Sequence, residues 1–353
     1  MPRFTGTVAG TASRRASTRG RIVTMYAALT LINLVTWGWA CVAVRASPML
    51  FGTAFLAYSF GLRHAMDADH IAAIDNVTRK LMNEGKHPVS VGFFFALGHS
   101  LTVVVGAVVV EMATKALVHH FDKFRETGAM IGTLVSAGFL LAIGAFNVVL
   151  LVDLMRTFRR MSSGREQLAA DSSLLRFEGN LLARIFRPLF RVVSSSWLMF
   201  PLGIVFGLGF ETATEVALLG ASASQASAGF STWTILVFPC LFAAGMLTVD
   251  TTDGILMLGA YGWACVKPLR KLHYNVTITL ISTIVALLIG AIEMLGIMSR
   301  VFSLSGPFWH FVHTLNENFG MLGYAIVGIF IVGCLISALL YKISGYDRDA
   351  AAA

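Results

Sequence analysis

Charge is scarce in this chain. Of its 353 residues only 13% are Asp, Glu, Lys or Arg, while 56% are hydrophobic. A water-soluble domain carries about 25% charged residues, so a soluble globular enzyme is excluded as the starting point. Acidic residues are the scarcer sign, 19 against 27 Lys and Arg, and the formal net charge is +8. Cysteine is also sparse. Cys41, Cys240, Cys265 and Cys334 all fall in or near apolar runs, and no CxxC pair occurs. Neither a disulfide frame nor a thiolate zinc site is suggested. Neither a GxxxxGK[ST] phosphate loop nor an HExxH motif is present. The first absence removes ATP hydrolysis by that route, and the second removes the commonest metalloprotease chemistry. The first 21 residues are rich in Ser, Thr and Arg and lack the apolar core of a cleaved signal peptide, so they read as a disordered basic tail.

What the chain has instead is long apolar runs. Roughly 20 residues cross a hydrocarbon core, and eight runs meet that length, near 22–44, 50–78, 89–111, 129–152, 197–220, 232–259, 273–298 and 320–342. The expected fold class is therefore an all-α polytopic membrane protein of about eight transmembrane helices. Of the 27 Lys and Arg, 21 lie in the tails and alternate loops on one side, Arg79, Lys80 and Lys86 among them. The positive-inside bias puts that side, with both termini, in the cytoplasm. The basic residues are scattered over five segments, so the positive charge is a topology signal and not a nucleic-acid surface.

The hydrophilic stretch 153–196 divides the chain. The expected organisation is a cytosolic basic tail (1–21), a four-span half (22–152), a cytosolic basic linker (153–196), a second four-span half (197–342) and a cytosolic tail (343–353). Phe60-Gly61-Leu62 in span two matches Phe206-Gly207-Leu208 in span five, and the Phe95–Val103 segment of span three matches Phe242–Asp250 of span six. By the charge rule the matched spans run oppositely. An inverted repeat of spans 2–3 on spans 5–6 is therefore expected, with the substrate site at the repeat interface near mid-membrane.

The polar residues inside the spans fall on those same pairs. Span two carries Arg63, His64, Asp67, Asp69 and His70 within eight residues. Each ionisable group costs roughly 2.5–3.5 kcal/mol on insertion scales, so such a cluster is kept for a use. Imidazole beside carboxylate suits a divalent transition metal rather than Mg2+ or Ca2+, which prefer oxygen alone. His64, Asp67 and His70 lie within about 120° on a regular helix, whereas Asp69 falls on the opposite face. A site using both His and Asp69 therefore requires a distorted span. His99, after Gly98 in span three, is a third candidate nitrogen ligand. Glu211 and Glu215 in span five share one helix face, where like charges repel unless a cation or proton intervenes. Asp250 and Asp253 repeat that logic in span six. Glu293 and Asn147 are single polar residues in spans seven and four, candidates for supporting the site or for joining helices.

These motifs resemble the bacterial and fungal nickel/cobalt transporter family. The run Arg63–Ile71 is similar to its second-span signature Arg-His-Ala-x-Asp-Ala-Asp-His-Ile, whose His-x4-Asp-His core maps onto His64, Asp69 and His70. Phe95–Ser100 is similar to its Phe-x-x-Gly-His-Ser, although Leu101 departs from the run expected next. Leu208–Glu215 and Gly245–Asp253 are similar to its span-five and span-six motifs. The resemblance implies a secondary-type permease for high-affinity uptake of Ni2+, Co2+ or both. Its expected place is a bacterial inner membrane, with metal as substrate, no cofactor, no ATP site in this chain and homo-oligomerisation left open. His64, Asp69 and His70 are the favoured ligands, then Asp67 and His99. Glu211, Glu215, Asp250 and Asp253 are expected to line the path, complete the site or bind a coupling ion. The rival readings are a membrane-embedded metal-dependent enzyme and a metal sensor.

Overall fold

The computed structural model of the chain describes residues 6–45, 48–114, 118–162, 194–209, 232–264 and 268–343, and the regular elements among them are all helical. In chain order they are α1 (Gly6–Ala43), α2 (Pro48–His64), α3 (Ala68–Asn83), α4 (Val91–Thr114), α5 (Val118–Ser162), α6 (Met199–Phe206), α7 (Thr232–Ile235), α8 (Val237–Ala264), α9 (Pro268–Val301), α10 (Pro307–Glu317) and α11 (Phe319–Ile343). Among the described residues five segments are long and apolar enough to cross a membrane: Thr18–Ala43, Val91–Val109, Ala129–Val152, Trp233–Gly259 and Val276–Val301. Shorter apolar helices at Ser196–Phe206 and Phe319–Phe330 stand at the fifth and eighth expected crossings. The protein is an all-α polytopic membrane protein.

Three local expectations need correction. The N-terminal residues read as disordered are helical from Gly6 onward. Adding residues to an existing helix costs far less than nucleating one, and the tail holds no proline after Pro2 to stop α1. Residues 153–162, placed in the linker by composition, likewise continue α5. Between the seventh and eighth crossings lies α10, too short to span and so passed over. Pro307 opens it, and Gly306 before it adopts φ +126°, a conformation rarely open to L side chains.

The second crossing is broken, as a shared His and Asp site required. Helix α2 stops at His64 and α3 starts at Ala68. The turn between them closes with Ala65 N–H donating to Gly61 O, Met66 N–H to Arg63 O and Asp67 N–H to His64 O. In the fifth crossing α6 ends in the same way: Gly207 N–H donates to Gly203 O, Leu208 N–H to Val205 O and Gly209 N–H to Phe206 O. Each bond of the second turn sits 142 positions after its counterpart in the first.

Helix packing repeats as well. Gly61 on α2 lies against the Phe242 carbonyl of α8, and Gly245 on α8 against the Tyr58 carbonyl of α2. Gly203 on α6 and Phe95 on α4 make the equivalent pair, as do Gly98 on α4 and Phe200 on α6. Small residues of this kind let backbones approach closely within a membrane. The fourth and seventh crossings pair with each other, Gly144 against Leu287 and Gly290 against Leu141. These contacts exchange under a shift of 146 positions, and their order shows that α5 and α9 run antiparallel. The repeat is thus inverted and extends to spans four and seven. Its register in spans two and five differs from the sequence match: Gly61 corresponds to Gly203, one turn before the Gly207 that the Phe-Gly-Leu alignment selects.

Candidate metal site

The break in the second crossing brings the imidazoles together. His64 ends α2, His70 lies in the first turn of α3, and His99 projects from α4. All three are buried, and one ring nitrogen or more from each lies within 4.8 Å of the others. Their ring centroids are 4.7–5.0 Å apart. His64 Nε2 and His99 Nε2 are separated by 3.1 Å. Two nitrogens bound side by side to one ion at about 2.0–2.1 Å stand about 3 Å apart, so this spacing suits a shared cation.

Two carboxylates back the rings from the other side. Asp67 Oδ2 is 2.9 Å from His64 Nδ1. Asp250, on α8, places Oδ2 3.1 Å and Oδ1 3.3 Å from His70 Nδ1. At His70 the Asp250 carboxylate accepts from Nδ1–H, which holds the proton there and leaves Nε2 as the lone-pair nitrogen, while Asp67 stands beside His64 Nδ1 as an ion-pair contact. His70 Nε2 is buried and has no hydrogen-bond partner among the described residues. Phe95 and Phe242 pack on the rings of His70 and His64, with centroids at 4.9 and 5.5 Å. The cluster is thus walled by apolar groups, which strengthens any charge interaction inside it.

The local sequence explains this geometry. Asp67 takes extended backbone angles at the N-cap of α3, yet its side chain makes no capping bond and turns to His64 instead. Asp69 takes over part of that task, its Oδ1 accepting the His70 backbone N–H at 2.9 Å. Both carboxylates sit where the helix N-terminus favours negative charge. Asp253 lies one turn beyond Asp250, with Oδ2 buried and without a hydrogen-bond partner among the described residues. Glu211 and Glu215 lie outside the described residues.

The structure also shows what composition did not reveal. The break leans on α11: a Cβ at Gly323 would strike the Met66 carbonyl, and one at Gly320 would come within 3.2 Å of Arg63 Nε and Asp67 Oδ1. The eighth crossing therefore helps position the site through two glycines, a small-residue spacing that sequence offers only weakly. Glu293 accepts from Ser136 Oγ at 2.9 and 3.0 Å and joins α9 to α5. Asn147 donates to Asn76 and joins α5 to α3. Arg79, counted by the charge rule with the cytosolic loop, is 1% exposed and packed inside the bundle. A single sequence shows its charge but not that α5 and α9 cover it.

The family described as "High-affinity nickel-transport protein" (NicO) matches residues 50–340. The chain is 53% identical over 329 residues to the "High-affinity nickel transport protein" of Cupriavidus necator, covering 93% of this chain and 94% of that one. It is 42% identical over 316 residues to the "Nickel transporter NixA" of Staphylococcus aureus, covering 90% and 93%. With the "Cobalt transport protein NhlF" of Rhodococcus rhodochrous the identity is 39% over 292 residues, covering 81% and 82%. No solved structure matches the chain.

Proposed function

We infer, from the premise that this chain belongs to the high-affinity nickel-transport protein family, that it is a permease carrying Ni2+, Co2+ or both across the membrane. His64, His70 and His99 hold the ion midway. The observation that carries this reading is the buried trio of imidazoles, two of them fixed from behind by carboxylates. Metal is cargo here, so the chain acts as a transporter and not as an enzyme or sensor, and needs no cofactor.

The division of labour follows from the geometry. His64 and His70 present Nε2 because Asp67 and Asp250 occupy their Nδ1 sides. His64 Nε2 and His99 Nε2 share a hydrogen at 3.1 Å when no ion is bound, and an arriving cation displaces it. Asp69 fixes the first turn of α3 and so aims His70. Asp253 offers a carboxylate next along α8, and Glu211 and Glu215 supply the corresponding charge on the fifth crossing. The positive-inside bias places both termini, the 1–21 and 343–353 tails and the 153–196 linker in the cytoplasm of a bacterium. The 22–152 and 197–342 halves form the transport unit. Transport draws on a secondary gradient and not on a nucleotide.

The test is nickel accumulation in sealed vesicles holding the purified protein. Metal fills the lumen with the unaltered chain and fails to do so with His64→Ala or His70→Ala, although both variants remain in the membrane. Binding without accumulation by the unaltered chain overturns the transport reading. Unlabelled cobalt competing with radiolabelled nickel then reads the preference between the two ions, which the Irving–Williams order does not decide because selectivity rests on geometry.

A further inference from the structure

Arg79 is a fully buried cation that the imidazole site does not use. It lies nine residues beyond His70 on α3, about 13 Å along the axis at 1.5 Å per residue. Its guanidinium reaches two neighbouring helices. Nη1 donates to Thr279 Oγ1 on α9 at 3.0 Å, and Nη2 donates to Asn76 Oδ1 at 3.1 Å. Asn76 Oδ1 also accepts from Asn147 Nδ2 on α5 at 2.5 Å. One turn nearer the imidazoles, Ser282 Oγ on α9 donates to Asp75 Oδ2 at 2.5 Å. Asp75, Asn76, Arg79, Asn147, Thr279 and Ser282 are all buried. Asp75, Asn76 and Arg79 occupy one face of α3, at i, i+1 and i+4.

A guanidinium has five N–H donors, and here the Nε donor is buried without a partner among the described residues. Burying a cation with an unmet donor costs several kcal/mol. A neutral residue of similar shape would join the helices more cheaply. What only the charge supplies is repulsion of a dication and balance for nearby carboxylates. Asp69, Asp75, Asp250 and Asp253 are the acidic groups on the two helices that lead away from the imidazoles, and Asp250 is already paired with His70.

We propose that Arg79 is the latch of the transport path: by tying α3 to α9 through Thr279 and to α5 through Asn76 and Asn147, it closes the way between the imidazole cluster and the end of α3 that carries Lys80, with Lys86 just beyond it. The ion passes only when the guanidinium leaves Thr279 and Asn76. This rests on the transport reading above. Arg79 is a positioning residue and does not touch the cargo.

The test uses the full chain in sealed vesicles, with Cys41, Cys240, Cys265 and Cys334 replaced and Ser282→Cys as reporter, since Ser282 lies on the imidazole side of the latch. A membrane-impermeant maleimide is applied from the side of the chain termini. Accumulation of nickel by the reporter protein with Arg79 intact first establishes the transport reading independently. With Arg79→Gln, labelling at position 282 is expected to quicken about tenfold or more, as a shift of roughly 1.4 kcal/mol between closed and open states would give. Nickel uptake is expected to fall about tenfold, and equilibrium nickel binding to stay within about threefold. Arg79→Lys, which keeps the charge but not the fork, should fall between the two. Unchanged labelling with unchanged uptake overturns the latch. So does loss of nickel binding in both Arg79→Gln and Arg79→Lys, which would make Arg79 part of the binding site or of the fold.

Discussion

Helices α2 and α6, in the second and fifth crossings, end at equivalent points with the same three backbone hydrogen bonds, yet only one of the two ends bears imidazoles. Where the second has His64 and Asp67, the fifth has Phe206 and Gly209, 142 positions later. Phe206 is 2% exposed and packs edge-on against Phe95 and Phe139. The turn geometry therefore belongs to the repeated scaffold, while the imidazoles stand at one copy of it. A break in a spanning helix creates a location, and the side chains at its rim decide whether that location holds an ion.

Removing a ring nitrogen from the first break should have the largest effect. His70→Ala is expected to weaken nickel binding by at least about 100-fold, more than the loss of a supporting group usually costs, as read by equilibrium binding in detergent. Asp250→Asn keeps a hydrogen-bond partner for His70 Nδ1 but loses the charge, so the expected weakening is about 10–100-fold. An unaltered affinity there would mean that Asp250 does not orient the ring. Gly61→Val and Gly203→Val test whether the two crossings are structurally equal. Each drives a branched side chain into a carbonyl, and each should cost about 1–3 kcal/mol by thermal unfolding. A large cost at one site with none at the other would break the equivalence. Phe206→Leu should do least: under about 1.5 kcal/mol in stability, with nickel affinity unchanged.

Much of this was legible in the sequence because membranes punish charge. His64, His70 and His99 stood out as costly groups in apolar runs, and Asp69 lying off the helix face meant either another partner or a distorted span; the structure has both, a turn at residues 65–67 and Asp69 on the His70 backbone N–H. The inverted repeat was legible through glycines that repeat at crossings, although shared Phe-Gly-Leu letters misled the register by one turn. The division of roles was less so. Asp67 and Asp250 look like ligands in sequence, and only three-dimensional contact shows each behind a ring nitrogen. Arg79 was misread because burial depends on α5 and α9, which are remote in the chain. Gly320 and Gly323 offer only a weak small-residue spacing in sequence, and they matter because Arg63, Met66 and Asp67 at the break lie against them.

The claim on which the account depends is that three imidazoles meet on one ion. X-ray absorption on the purified, nickel-loaded protein tests it most directly. The scattering should carry the signature of three imidazole rings, falling to two in His99→Gln with the edge position otherwise preserved. A nickel shell made of oxygen alone, or one that does not change when His64, His70 or His99 is replaced, would contradict it.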